Sequence, residues 1–195
     1  MKQSIKTKIQ LALSYPPPKS LDYTSLIPAA VLLLVYPKND EYCILLNKRS
    51  NTVKEHKGEI SFPGGRMGRS DQTKLATALR ETHEEMGIVP KDVELLGRLD
   101  EVSTISHYVI STFVGTIPYP YNFSPNRDEV SEVLETPISA LRDQKNLRNV
   151  VRIINGIPIS SAEYAYEGHL IFGATAKLLT LFLELTNVTG SEGRL

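Results

Sequence analysis

"GGRMGRSDQTKLATALRETHEEMGI", residues 64–88, sets a glycine pair at the end of an apolar approach and an acidic run on the helix that follows. Residues 72–87 read as that helix: Leu75, Leu79, Thr82 and Met86 form its apolar stripe, Asp71 is placed to cap its start, and Gly87 stops it. At about 100° per residue, Glu81, Glu84 and Glu85 fall within an arc of roughly 100° on the side away from the stripe. Like charges at this spacing cost a helix a few tenths of a kcal/mol per pair, so a compensating partner is required. Two partners satisfy the run: Arg80 paired to Glu84 on a solvated face, or a hard divalent cation such as Mg²⁺ or Mn²⁺, which takes carboxylate and carbonyl oxygens and shares itself with a substrate's phosphates. The preceding "SFPGG" (61–65) favours the cation, because glycine lets the main chain come close to a ligand.

Working outward, "IPAAVLLLVYP" (27–37) and "EYCILLNKR" (41–49) read as neighbouring strands joined by the turn-like "KND" (38–40), the first buried on both faces. Beyond the helix come strand-like runs at "VELLGRLDEV" (93–102), "YVISTFVGTI" (108–117) and "EVSEVLETP" (129–137). Shorter ones follow at "NVVRII" (149–154) and "GIPIS" (156–160). "FGATAKLLTLFLELT" (172–186) closes as a helix with Leu178, Leu179, Phe182 and Leu185 available to pack. Ile5, Ile9 and Leu13 mark an amphipathic helix over 2–14, stopped by Pro16 to Pro18 and read as an accessory element. "PYPYNFSPN" (118–126) is a long loop inside one domain. Strands, a central helix, more strands and a closing helix specify an α/β class with a mixed β-sheet covered by helices.

Twenty-two basic and twenty-two acidic residues cancel, so no global field draws the chain to nucleic acid or an anionic membrane. Cys43 is the only cysteine, which excludes an internal disulfide and a cysteine-based zinc site and suggests a reducing compartment; its apolar surroundings make it a core residue. The N-terminus lacks the apolar core of a signal peptide, and no stretch reaches the roughly 20 apolar residues of a membrane span. A soluble, cytoplasmic protein is the expectation. The four histidines show no zinc-ligand spacing.

The stretch 64–88 resembles the Nudix box, G-x5-E-x7-R-E-U-x-E-E-x-G-U with U aliphatic. Gly65, Arg80, Glu81, Glu84, Glu85, Gly87 and Ile88 match it. Asp71 stands for the early glutamate, eight residues rather than seven separate it from Arg80, and Thr82 takes an aliphatic position. That variant is similar to the coenzyme A pyrophosphatase branch. So is "LLNKRSNTVKEHKGEISFPGG" (45–65), which resembles the branch's L-L-T-x-R-S-x3-R-x3-G-x3-F-P-G-G, with Asn47 for Thr and Lys54 for the second Arg. "DEVSEVLETPISAL" (128–141) and "IFGATAKLL" (171–179) are similar to two further segments of that branch.

The resemblance implies a single Nudix domain over 1–195, an α/β/α sandwich with a loop-helix-loop catalytic motif, the box at about 65–88, and residues 1–20 as an accessory helix with a Pro-rich connection. It implies metal-dependent hydrolysis of the pyrophosphate of coenzyme A or its thioesters, giving 3′,5′-ADP and 4′-phosphopantetheine. Glu81, Glu84, Glu85 and the Gly65 carbonyl would bind Mg²⁺ or Mn²⁺, and Arg80 would orient a glutamate. Glu84, Glu129 and Glu132 remain eligible as general base, Glu129 being preferred because it follows the flexible "SPNRD" loop. Arg49, Lys54 and Lys57 would meet the 3′-phosphate. The expected partner is a small-molecule nucleotide of the coenzyme A type, with no nucleic acid and no membrane; a homodimer stays open. ADP-ribose, a dinucleotide or a nucleoside triphosphate is the alternative substrate, and a catalytically silent nucleotide-binding module is the alternative of another class.

Overall fold

A computed structural model of the chain describes residues 5–22, 25–53, 55–154 and 156–188. Lys54 therefore lies outside the described residues. The central strand β1 (Ile27–Lys38) turns through Asn39 and Asp40, both at positive φ, into β2 (Glu41–Arg49), as "KND" foretells. Short strands β3 (Ile60–Ser61) and β4 (Gly64–Arg66) lead to helix α2 (Lys74–Met86), which follows the N-terminal helix α1 (Ile5–Ser14) in chain order. Then come β5 (Glu94–Arg98), β6 (Val102–Ser103), β7 (Tyr108–Thr116), β8 (Val130–Pro137) and helix α3 (Ile138–Arg142). The chain closes with β9 (Leu147–Ile154), β10 (Ile157–Tyr166), β11 (His169–Ile171) and α4 (Gly173–Val188).

β1 runs parallel to β7 along one edge, with Ala29 opposite Ile110 and Leu33 opposite Val114. Its other edge is divided: Ala29 to Val31 pair antiparallel with β4, and Val35 to Lys38 pair with β2. The sheet is thus mixed. β8 pairs with β2, and β5 and β6 pair with β7. An antiparallel β9–β10–β11 sheet is separate from it, an element the two short runs at 149–160 did not announce. β9 and β10 are longer than those runs because residues 161–166 pair on into Leu147 to Asn149 and then β11.

Burial on both faces explains the unbroken apolar run of β1. Ala30, Leu32, Leu34 and Tyr36 join Cys43, Leu45, Ala78 and Met86 in one core, under α2. Leu33 and Val35 join Ile44, Leu46, Leu178, Leu179 and Phe182 in another, under α1 and α4. Helices on both faces make the α/β/α sandwich. α1 is less accessory than its position suggested: Ile9 and Leu13 are buried in the second core, against β5 and α4. Cys43 is buried, and burial pushes its thiol pKa up. Among the described residues no helix is long and apolar enough to cross a membrane.

Helix α2 departs from its pattern in two ways. Its cap is Thr73, whose hydroxyl accepts the Ala76 N–H at 3.0 Å; Asp71 is otherwise engaged. The buried side comprises Thr77, Ala78, Thr82, Glu85 and Met86, whereas Leu75 and Leu79 are half-buried. Small residues at 77, 78 and 82 let the helix axis approach β1 and β4, and that rotation carries Glu85 inward. Gly87 ends the helix in the left-handed conformation, as expected.

Thr82, at the aliphatic position of the box pattern, is 1 % exposed, and its hydroxyl oxygen has no hydrogen-bond partner among the described residues. A buried, unpaired hydroxyl is costly. Thr82→Val, which keeps the shape and removes the hydroxyl, is expected to raise unfolding stability by about 1 kcal/mol in urea titrations; a loss of stability would show that the hydroxyl is paired in solution.

Candidate active site

Helix α2 presents its carboxylates to the β4 corner. Glu85, in the last turn, is 2 % exposed, so it does not lie on a solvated face. Its Oε2 accepts the Gly64 N–H at 3.1 Å and the Asn47 side-chain amide at 2.9 Å, while Oε1 faces the Arg49 guanidinium at 3.6 Å. Burial pushes its pKa up to about 7; the Gly64 N–H and Arg49 oppose the rise, and the charges of Glu81 and Glu129 add to it.

Glu81 lies one turn earlier against the glycine pair. A Cβ built on Gly65 would stand 2.6 Å from the Glu81 carboxyl carbon and 2.7–2.8 Å from its oxygens, so a side chain there would displace the Glu81 carboxylate. Gly64, at φ +149°, is the stricter position: a Cβ would sit 2.4 Å from the Ala30 carbonyl oxygen and 2.6 Å from the Val31 Cα, so only glycine fits. Burial raises the Glu81 pKa, Arg80 lowers it, and Glu84 and Glu129 push it higher. Gly64 thus serves a close approach to β1, and Gly65 a close approach to the Glu81 carboxylate, where "SFPGG" predicts an approach to a ligand.

Arg80 is gripped from both sides. Asp71 takes Nε and Nη2 at 2.9 and 2.8 Å, Glu84 takes Nη1 at 2.8 Å, and Glu81 faces Nη2 at 2.8 Å. Arg80, joined by the Gly68 N–H and the Thr77 hydroxyl, holds the Asp71 carboxyl well below the usual carboxylate range. The aspartate that replaces the box glutamate is therefore a bidentate clamp on Arg80 rather than a helix cap. Glu84 is half-exposed.

Glu129 arrives from across the fold. The Ser124 N–H donates to the Met86 carbonyl at 3.0 Å and the Asn126 N–H to the Glu85 carbonyl at 2.9 Å, docking residues 124–126 on the end of α2. The Glu129 carbonyl accepts the Ser50 N–H at 2.8 Å, and its carboxylate accepts the Asn126 amide at 3.2 Å. "SPNRD" is thus a tied loop, not a flexible one. Glu132 is drawn elsewhere, to Lys48 at 3.8 Å and His169 at 3.2 Å.

Of the three cations assigned to substrate, Arg49 stands at the carboxylates, Lys57 is exposed on the loop between β2 and β3, and Lys54 lies outside the described residues. Asn47, Ser61 and the Gly64 N–H were not foreseen. The available signal was an asparagine inside the apolar strand run "CILLN", since a buried amide must have partners.

Oxygen donors, raised carboxylate pKa values and a backbone approach that admits no Cβ fit a hard divalent cation. Among the described residues no three side chains stand as a ready-made cage.

The NUDIX domain family model matches residues 26–152. A relative from Photorhabdus laumondii, an uncharacterized Nudix hydrolase NudL, is 34 % identical over 164 residues, covering 84 % of this chain and 87 % of its own. The corresponding protein of Citrobacter koseri is 40 % identical over 100 residues, covering 51 % of this chain and 52 % of its own. Among solved structures, a MutT/nudix family protein from Enterococcus faecalis overlays with a TM-score of 0.59 at 14 % identity, covering 95 % of this chain and 71 % of that one. The Nudix hydrolase RenU from M. smegmatis overlays at 0.54 and 20 % identity, covering 87 % and 89 %. These two share the fold. With the family pattern spanning the sheet, the glycine pair and every carboxylate of the α2 cluster, the chain belongs to the Nudix family and is a Nudix hydrolase, a pyrophosphohydrolase.

Proposed function

We propose that the chain hydrolyses the pyrophosphate of coenzyme A or its thioesters to 3′,5′-ADP and 4′-phosphopantetheine or its acyl form, with Mg²⁺ or Mn²⁺. The observation that carries the reading is the placing of Glu81 against Gly65 and of Glu85 on the Gly64 N–H, two carboxylates whose pKa burial raises and the Glu129 charge raises further. Glu81, Glu84, Glu85 and the Gly65 carbonyl are the residues that would hold the cation. When bound, it supplies neutralisation of phosphate oxygens and a more acidic water.

The chain's own groups do the rest. Arg80, fixed by Asp71, orients Glu81 and Glu84. Glu129 takes the proton of the attacking water as the new P–O bond forms and the bridging P–O bond breaks, the leaving phosphate keeping that electron pair. The reach of its charge to Glu81 and Glu85 favours it over Glu132, which is engaged by Lys48 and His169. Arg49 and Lys57, with Lys54, meet the 3′-phosphate. The coenzyme A preference is supported by the match of 45–65 to the branch signature, since that segment carries both the cations and the glycine pair.

The deciding experiment incubates the purified chain with coenzyme A, ADP-ribose and NADH, with Mg²⁺ or Mn²⁺, and identifies products by mass. Appearance of 3′,5′-ADP with the highest kcat/KM for coenzyme A is expected; a higher value for ADP-ribose or NADH would refute the substrate, and no cleavage with either metal would refute the activity.

Two substitutions test the roles. Glu84→Gln is expected to lower turnover by roughly 10²–10³-fold with the fold intact by circular dichroism. Glu129→Gln is expected to lower it by about 10²–10⁴-fold; a loss of only a few-fold at every pH would reassign the base.

Glu85 also predicts a pH dependence of stability without metal. Its folded pKa of about 7 lies above that of an ordinary carboxylate, so the folded state holds a proton that the unfolded chain releases between about pH 4.5 and 7. Stability contributed by that proton is present at low pH and lost as pH rises through about 7. In EDTA, Glu85→Gln should therefore gain stability relative to the wild type across this window. A constant difference between the two would show that Glu85 ionises normally.

A further inference from the structure

Asn47 is fully buried, and its amide is held at both ends: Nδ2 donates to Glu85 Oε2 at 2.9 Å, and Oδ1 accepts the Ser61 hydroxyl at 2.6 Å. Asn47 and Ser61 face each other in the β2–β3 ladder, so the register itself aligns the pair. β3 is tied in turn to the far side of the fold, where the Thr175 hydroxyl at the start of α4 donates to the Ile60 carbonyl at 3.1 Å. A continuous chain of hydrogen bonds and one peptide unit thus runs from α4 through β3 and β2 to the carboxylate.

Charge decides what this chain can do. Arg49 already sets one positive charge beside Glu85, and a lysine or arginine at position 47 would add a second; a neutral amide fixes the carboxylate without adding charge. With Oε2 occupied by the Gly64 N–H and the Asn47 amide, the rotation of the carboxylate is set, and Oε1 is the oxygen turned away from both, 3.6 Å from Arg49 and beyond hydrogen-bond distance of it.

We infer that Asn47, oriented by Ser61, is a positioning residue that sets which oxygen of Glu85 is offered to the divalent cation. The inference rests on the reading of Glu85 as a cation ligand given above, and it concerns a residue that touches neither substrate nor metal. It also gives Asn47 a physical task where the branch signature has Thr: an amide spans from Ser61 to Glu85 with a donor at one end and an acceptor at the other.

The test measures Mn²⁺ binding to the purified full chain by the loss of the free-ion paramagnetic resonance signal, without substrate. Asn47→Leu, close in volume and without a donor, is expected to weaken Mn²⁺ binding by about 10–100-fold. Ser61→Ala should weaken it by a smaller factor. In assays, Asn47→Leu should raise the Mn²⁺ concentration needed for half-maximal turnover while kcat at saturating Mn²⁺ recovers to within a few-fold of wild type, a split that general loss of structure does not produce. Unchanged Mn²⁺ affinity in a folded Asn47→Leu protein overturns the inference and leaves the proposed activity standing. Weakened affinity in a protein that cuts no diphosphate supports the inference and removes that activity. Should Asn47→Leu fail to fold, Ser61→Ala decides: unchanged Mn²⁺ affinity in that variant overturns the inference.

Discussion

The buried carboxylate of Glu85 is the knot of this structure. It accepts hydrogen bonds from β4 through the Gly64 N–H and from β2 through Asn47, while its own backbone carbonyl accepts the Asn126 N–H from the loop before β8. Four separate pieces of chain are therefore brought together at one residue. Desolvating a carboxylate is expensive unless its oxygens are hydrogen-bonded, so the arrangement holds only while these partners are in register. The cost that remains, expressed in the raised pKa, is the kind of imbalance a cation corrects.

The sheet and its two cores make that knot possible. β1 divides its second edge between β4 and β2, and α2 packs on β1 and β4, which brings its carboxylates to the Gly64–Gly65 corner. On this face the small side chains of Thr77, Ala78 and Thr82 admit the helix. On the other, α1 and α4 seal the sheet with Leu13, Leu178 and Phe182. A close-packed interior of this kind gives the site a rigid floor, because moving one carboxylate would disturb both layers.

The loop 118–126 supplies the other wall. Tyr119 stacks on Tyr36 with ring centroids 5.4 Å apart, and the Tyr121 hydroxyl donates to Asp92 at 2.9 Å while accepting the Val89 N–H at 3.0 Å. These contacts anchor the loop beside the end of α2, and Ser124 and Asn126 complete the docking. Glu129 consequently reaches the carboxylate cluster from an ordered support. Such support fixes the spacing of the groups it carries against thermal motion.

Much of this was legible in the residues themselves. The apolar run of β1, the "KND" turn, the Gly87 stop and the box carboxylates depend on neighbours within a few positions, where periodicity and turn chemistry act. The inward turn of Glu85, the clamp of Asp71 on Arg80, the capping by Thr73, the role of Asn47 and the approach of Glu129 were decided by tertiary structure. Asn47 and Glu85 lie 38 positions apart, and Gly64 and Glu85 lie 21 apart. Local pattern determines which segments form helix or strand and which chemistry they carry. Which carboxylate is desolvated, and by whom it is held, depends on the helix rotation and strand register that packing selects.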